Sequence, residues 1–95
     1  MPGAVRLNDA CTGHACYSSR NNVVASSDVH INSRGAHRVG DAWAAHGCAV
    51  CPPHGATQSS GSPTVFVNNS PLARIGDAID CGSANMSGSS DVIVN

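Results

Sequence analysis

One phrase occurs three times in this chain, and its third occurrence is split between the two ends. The complete copy is Gly61-Ser62-Pro63-Thr64-Val65-Phe66-Val67-Asn68, followed by Pro71-Leu72-Ala73-Arg74-Ile75-Gly76-Asp77. Ser26-Ser27-Asp28-Val29-His30-Ile31-Asn32 and Gly35-Ala36-His37-Arg38-Val39-Gly40-Asp41 repeat it 36 positions earlier without a gap. The front half of the third copy is Gly88-Ser89-Ser90-Asp91-Val92-Ile93-Val94-Asn95, and its back half is Gly3-Ala4-Val5-Arg6-Leu7-Asn8-Asp9. A chain whose last words complete its first must bring its termini together as one unit of a pseudo-threefold ring.

Each copy reads as a β-hairpin. Val65 and Val67 alternate with Phe66, the period of a strand, and Asn68-Asn69 tolerates the positive φ of a tight turn. Pro71 opens a return strand over 72–75. Equivalent positions define a predicted core of three layers: Val29, Val65 and Val92; Ile31, Val67 and Val94; Leu7, Val39 and Ile75. His30, Phe66 and Ile93 fall on the other face and are expected to be exposed. Arg6, Arg38 and Arg74 each precede an aspartate by three residues (Asp9, Asp41, Asp77), a spacing suited to bracing the following turn. The inserts 10–25, 42–60 and 78–87, rich in Gly, Ser, Cys and His, are expected to be irregular loops gathered at one end. One helical turn is the most that Ala42-Trp43-Ala44-Ala45-His46 is expected to form, and Trp43 is read as a packing anchor.

Composition narrows the function. The 95 residues form one domain, 1–95, with only 17 Leu, Ile, Val and Phe among them. Such a thin core asks for a staple, and domains of this size often use a disulfide or a metal. All charge comes from five Arg and six Asp, with no Lys or Glu. A net charge of −1 without a basic patch gives nucleic-acid binding little support. No segment approaches the roughly 20 apolar residues of a membrane span. The opening residues lack a charged and then apolar leader, so no secretory signal peptide is expected. In that setting five clustered cysteines favour metal ligation over a disulfide framework.

Counting forward from each turn aspartate places a soft donor in each unit: His14 after Asp9, His46 after Asp41, and Cys81 after Asp77. Tetrahedral zinc needs a fourth ligand, and the longest insert offers His54. The predicted site is therefore His14, His46, His54 and Cys81, holding one Zn²⁺. A local alternative is the run His46-x-Cys48-x-x-Cys51-x-x-His54, and Cys48 or Cys51 in place of His54 remains open. Cys11 and Cys16 are free thiols or a disulfide pair. Four protein ligands leave no position for a catalytic water, and the chain has no Glu to act as acid or base. The metal reads as structural, its binding energy adding to folding.

The phrases Pro71-Leu72-Ala73-Arg74, Met1-Pro2-Gly3-Ala4-Val5-Arg6, Gly13-His14, Cys81-Gly82-Ser83 and Gly61 through Asn68 together resemble PAAR-repeat proteins, over essentially the whole chain. The resemblance implies an all-β, cone-shaped structure of three hairpins, with loops gathered at a zinc-bound point. Its base caps the trimeric β-helical spike of type VI secretion systems, a VgrG-like protein, or the spike of a contractile phage tail. It also implies a zinc held by three His and one Cys, which by position are His14, His46, His54 and Cys81. Asn8 departs from the pattern where Gly40 and Gly76 stand, Ser33 and Asn69 depart at the hairpin glycine, and Gly35 replaces proline. Many relatives carry toxin extensions, and a chain stopping at Asn95 is expected to be a bare tip. The expected protein is a non-enzymatic part bound one per trimer. It is made in the cytoplasm and exported by a contractile machine or carried in a virion tail. It touches the target membrane only transiently and forms no stable homo-oligomer. A zinc hydrolase or a small zinc-binding regulatory module are the rival readings.

Overall fold

A computed structural model describes residues 2–13, 19–48, 51–80 and 82–95, the side chains at 45–54 excepted. The described residues contain no helix; the ordered elements are six strands in three antiparallel hairpins. β1 (His30–Ile31) pairs with β2 (Arg34–Gly35), β3 (Ala42–Cys48) with β4 (Cys51–Thr57), and β5 (Phe66–Val67) with β6 (Ser70–Pro71). The molecule is elongated, 38 Å long and 24 by 21 Å across.

Two of these hairpins are the repeat units, and the chain ends form the third. Gly3 bridges Ile93, as Gly35 pairs with His30 and Pro71 with Phe66. The Val94 N–H donates to the Pro2 carbonyl at 2.9 Å, so the split repeat is rejoined by backbone hydrogen bonds. The turns have positive φ at Asn32 (53°), Ser33 (67°), Asn68 (50°) and Asn69 (67°), the geometry of a two-residue hairpin loop that twists with its strands. Ser33 and Asn69 thus keep the conformation that glycine ordinarily supplies. Asn8 does the same at φ 72°, where Gly40 and Gly76 both have 92°.

The return segments meet on the pseudo-threefold axis. The Val5 N–H donates to Ala73 (3.0 Å), that of Ala73 to His37 (2.9 Å), and that of His37 back to Val5 (3.0 Å). Three residues fully buried at 0% exposure thereby close a triangle of backbone hydrogen bonds. Bridges Arg6–Ala36, Arg38–Leu72 and Ala4–Arg74 repeat the same step around the axis. The return strands are consequently shorter than the alternation predicts, because each leaves its own hairpin partner to pair with the neighbouring unit.

The core has one of the three predicted layers. Ile31, Val67 and Val94 are buried and pack with Ala4, Ala36 and Leu72. Val29, Val65 and Val92 stand exposed at 38, 36 and 38%. They precede the ladder, in a turn where Ser26, Ser62 or Ser89 Oγ accepts the N–H groups two and three residues ahead, so strand alternation does not reach them. Leu7 and Val39 are half-buried and Ile75 is exposed. The axial space is filled instead by Ala4-Val5, Ala36-His37 and Leu72-Ala73, all of them buried. His30, Phe66 and Ile93 are exposed as the pattern predicts.

The second insert departs from expectation. Its alanines suggest a helical turn and irregular loop, yet β3 and β4 form the longest hairpin in the protein's described residues. Tertiary pairing overrides alanine's helix propensity: Asn22 bridges Trp43, and the Ala44 N–H donates to Asn21 at 3.1 Å.

Candidate functional site

Each repeat ends in the same Arg–Asp brace. Asp9, Asp41 and Asp77 are buried, and each carboxylate accepts from both the backbone N–H and the guanidinium of the arginine three residues before it, at 2.7–3.0 Å. Burial pushes the Asp9 pKa up, but Arg6, by side-chain and backbone bonds and charge, and Arg34, by its charge, outweigh it and hold the carboxyl below its ordinary value. The Asp9 hydrogen bond raises the Arg6 guanidinium in turn. The braces are structural, as the spacing suggests. Arg6 and Arg38 also reach the turn asparagines of another unit, Asn32 at 3.1 Å and Asn68 at 2.9 Å.

Beyond the braces, the three inserts are joined in a ring. Asn22 of the first bridges Trp43 of the second, Gln58 of the second bridges Ile79 of the third, and Asn85 of the third bridges Cys11 of the first. The N–H groups of the three amide residues donate to the carbonyls of Asp9, Asp41 and Asp77 at 3.0–3.1 Å. Asn22 Nδ2 and Asn85 Nδ2 cap the carbonyls of Arg6 and Arg74. Forward counting misses this buried ring because the inserts differ in length. Counting back four residues from Ser26, Ser62 and Ser89 finds all three members.

Gln58, with its longer side chain, breaks the symmetry. Its Oε1 accepts from Trp43 Nε1 (3.2 Å), and its Nε2 donates to the Ser60 and Ala78 carbonyls (3.0 Å each). Trp43 is the anchor the sequence suggests, buried against Cys11 and Ile79 and edge-on to His37 at 5.2 Å. His37 Nδ1 lies 2.8 Å from the Val24 carbonyl and must be the protonated nitrogen, since a carbonyl only accepts. Nε2 makes no well-formed hydrogen bond, although the Gln58 side chain is near enough to favour the charged ring weakly. Burial lowers the His37 pKa despite the Val24 bond. His37 is therefore a neutral core residue. Cys11 is a buried free thiol whose sulfur accepts from Arg20 N at 3.4 Å.

In sequence, the predicted ligands His14, His46, His54 and Cys81 fall within these three inserts. His46 and His54 are Cα partners across β3–β4, directly opposed in the ladder. Such partners have Cα atoms about 4.5–5.5 Å apart, a span two ligands of one metal can share. His14, Cys81 and the side chains of His46 and His54 lie outside the described residues. Their neighbours are tied together: Thr12 and Ala84 exchange hydrogen bonds at 2.9 and 3.2 Å, and the Asp80 carboxylate accepts from Thr57 N and Oγ1 at 3.1 and 3.0 Å. Segments leading to all four positions thus belong to one closed frame, and three imidazoles with a thiolate are a donor set suited to zinc. Among the described residues no three His, Cys, Asp or Glu side chains form a metal cluster.

Residues 12–87 match the PAAR motif family. The chain belongs to that family. No curated protein matches it. Membership agrees with the all-β architecture of small hairpins, and this PAAR domain carries its three braces and its ring of inserts on one pseudo-threefold frame.

Proposed function

We propose that this chain is the tip of a spike in a contractile injection machine. Family membership supports a spike-tip-like, structural role in type VI secretion or phage-tail machinery. The finer reading has the chain cap a homotrimeric β-helical spike, VgrG-like or phage-borne, one tip per trimer.

The observation that carries this reading is the threefold repetition of an exposed set within one monomer, apolar at every position except His30. Val29, Val65 and Val92 occupy equivalent positions beside His30, Phe66 and Ile93, and all six are exposed. A homotrimer presents three identical edges, and a monomer with three equivalent hairpins can match each edge once by continuing its strand. Apolar side chains repeated around an axis then lose water together on docking.

In the same reading His14, His46, His54 and Cys81 hold one structural zinc. Bound there, the metal would cross-link the three inserts into a rigid point that meets the target envelope. The residues around it do the remaining work: the amide ring and the Arg–Asp braces transmit load from the point to the axial core.

Mixing the purified chain with a trimeric spike and weighing the complex tests the capping. One copy per trimer is expected, and three copies per trimer would refute it. Elemental analysis tests the point separately, with about one zinc per chain expected. A fully folded, metal-free protein would overturn the zinc site while leaving the capping intact.

A further inference from the structure

The far end of the β3–β4 hairpin carries two cysteines that the four-ligand site does not use. Cys48 and Cys51 are Cα partners, the last pair of the ladder, with two residues between them in sequence. Partners in an antiparallel ladder have Cα atoms about 4.5–5.5 Å apart. Disulfides form over Cα separations of about 4.4–6.8 Å, so the backbone spacing of such a pair falls within the range a bridge spans.

The ladder is interrupted just below them. The register shifts between His46–His54 and Cys48–Cys51, leaving Gly47 facing the two residues Pro52 and Pro53. Proline has no N–H to donate, so at Pro52 and Pro53 β4 can only accept across the ladder. A covalent link between Cys48 and Cys51 would close the hairpin beyond this stretch. Among the other cysteines, Cys11 is buried under Arg20 and offers no competing partner.

We propose that Cys48 and Cys51 are a cross-strand disulfide site, closed when the protein meets a disulfide oxidant and open under reducing conditions. With glutathione disulfide as oxidant, one protein thiolate attacks a glutathione sulfur and expels one glutathione thiolate. The second protein thiolate then displaces the remaining glutathione from the mixed disulfide. Two protein thiols are oxidised, one glutathione disulfide is reduced to two thiols, and the protons pass to the thiolates released. The link clamps the hairpin beyond the His46–His54 pair. The inference rests on the ligand set His14, His46, His54 and Cys81, which leaves Cys48 and Cys51 free, and not on the spike-tip reading.

The test incubates the folded, zinc-replete chain with glutathione disulfide, blocks remaining thiols in denaturant, and maps them by mass spectrometry. The expected result is two fewer free thiols than the five in the sequence, with a Cys48–Cys51 cross-linked peptide. That pairing should persist in the double variant Cys11→Ser/Cys16→Ser. Cys48→Ser should leave a stable glutathione adduct on Cys51, with Trp43 fluorescence reporting that the variant is folded. Stable adducts on both cysteines of the unmutated chain would overturn the proposal, as would pairing of either with Cys11 or Cys16. Thiols that react only after a chelator removes zinc would assign the pair to the metal and overturn it equally.

Discussion

Joining residue 95 to residue 1 should stabilise the protein substantially, because it would link covalently the two halves of the third hairpin. Val94 donates to Pro2 and Ile93 bridges Gly3, so the positions between the paired strands are Asn95 and Met1. These correspond to Asn32-Ser33 and Asn68-Asn69, which span the equivalent gap with both residues at positive φ. A direct Asn95–Met1 peptide bond in a Met1→Gly chain would place Asn-Gly there, the sequence that best suits such a turn. Closing a ring of this size removes about 4–5 kcal/mol of unfolded-chain entropy. Ordering one further seam residue costs about 1–2 kcal/mol, leaving a net gain of about 3 kcal/mol. For a domain of this length that is a rise of roughly 10–20 °C in Tm. Urea and thermal unfolding of the ligated chain, against the linear Met1→Gly control, measure it. A cyclic protein no more stable than the control would show that the seam is strained, and the assignment of the termini as a third equivalent hairpin would fall.

The same logic predicts that the cyclised chain can be reopened between Asn68 and Asn69 and still fold, with a far-ultraviolet spectrum matching the parent as the check. Asp9→Ala should destabilise by about 2–4 kcal/mol, since it removes the buried carboxylate shared by the Arg6 and Arg34 guanidinium groups and leaves the Arg6 N–H without its acceptor. The loss at Asp77→Ala should be smaller in parallel urea titrations, because Asp77 binds a single arginine among the ion pairs found. His37 is buried neutral with its pKa lowered, so below its ordinary value of 6.5 the unfolded chain takes up a proton that the folded one refuses. Stability should therefore be full above that pH and decline as pH falls below it, and His37→Leu should flatten this part of the profile. Gly35→Ala should cost about 1–3 kcal/mol in unfolding experiments, because its Cβ would meet the Ser26 carbonyl oxygen at 2.5 Å.

Much of this architecture was legible because it repeats. Equivalence between copies identified the turns, the Arg–Asp braces and the junction of the termini, each governed by residues within a few positions of one another. The core was less legible. Val29, Val65 and Val92 share the parity of Ile31, Val67 and Val94, yet a serine-capped turn takes them out of the alternation. The candidate site was legible as a set of donor residues at matching distances from three aspartates. Its frame was hidden, because Asn22, Gln58 and Asn85 lie at different distances beyond those aspartates and are equivalent only when counted from the following hairpin.

By itself the sequence determined the threefold plan, since local turn chemistry and short-range charge pairs act wherever their residues occur. Tertiary structure alone decided which surfaces were inside. The axial segments bury Ala4, Val5, Ala36, His37, Leu72 and Ala73 alike, while valines at the hairpin entrances remain outside. It also converted an alanine-rich insert into a hairpin by offering Asn21 and Asn22 as backbone partners. Pairing between units depends on residues tens of positions apart, and no local preference along the chain encodes it.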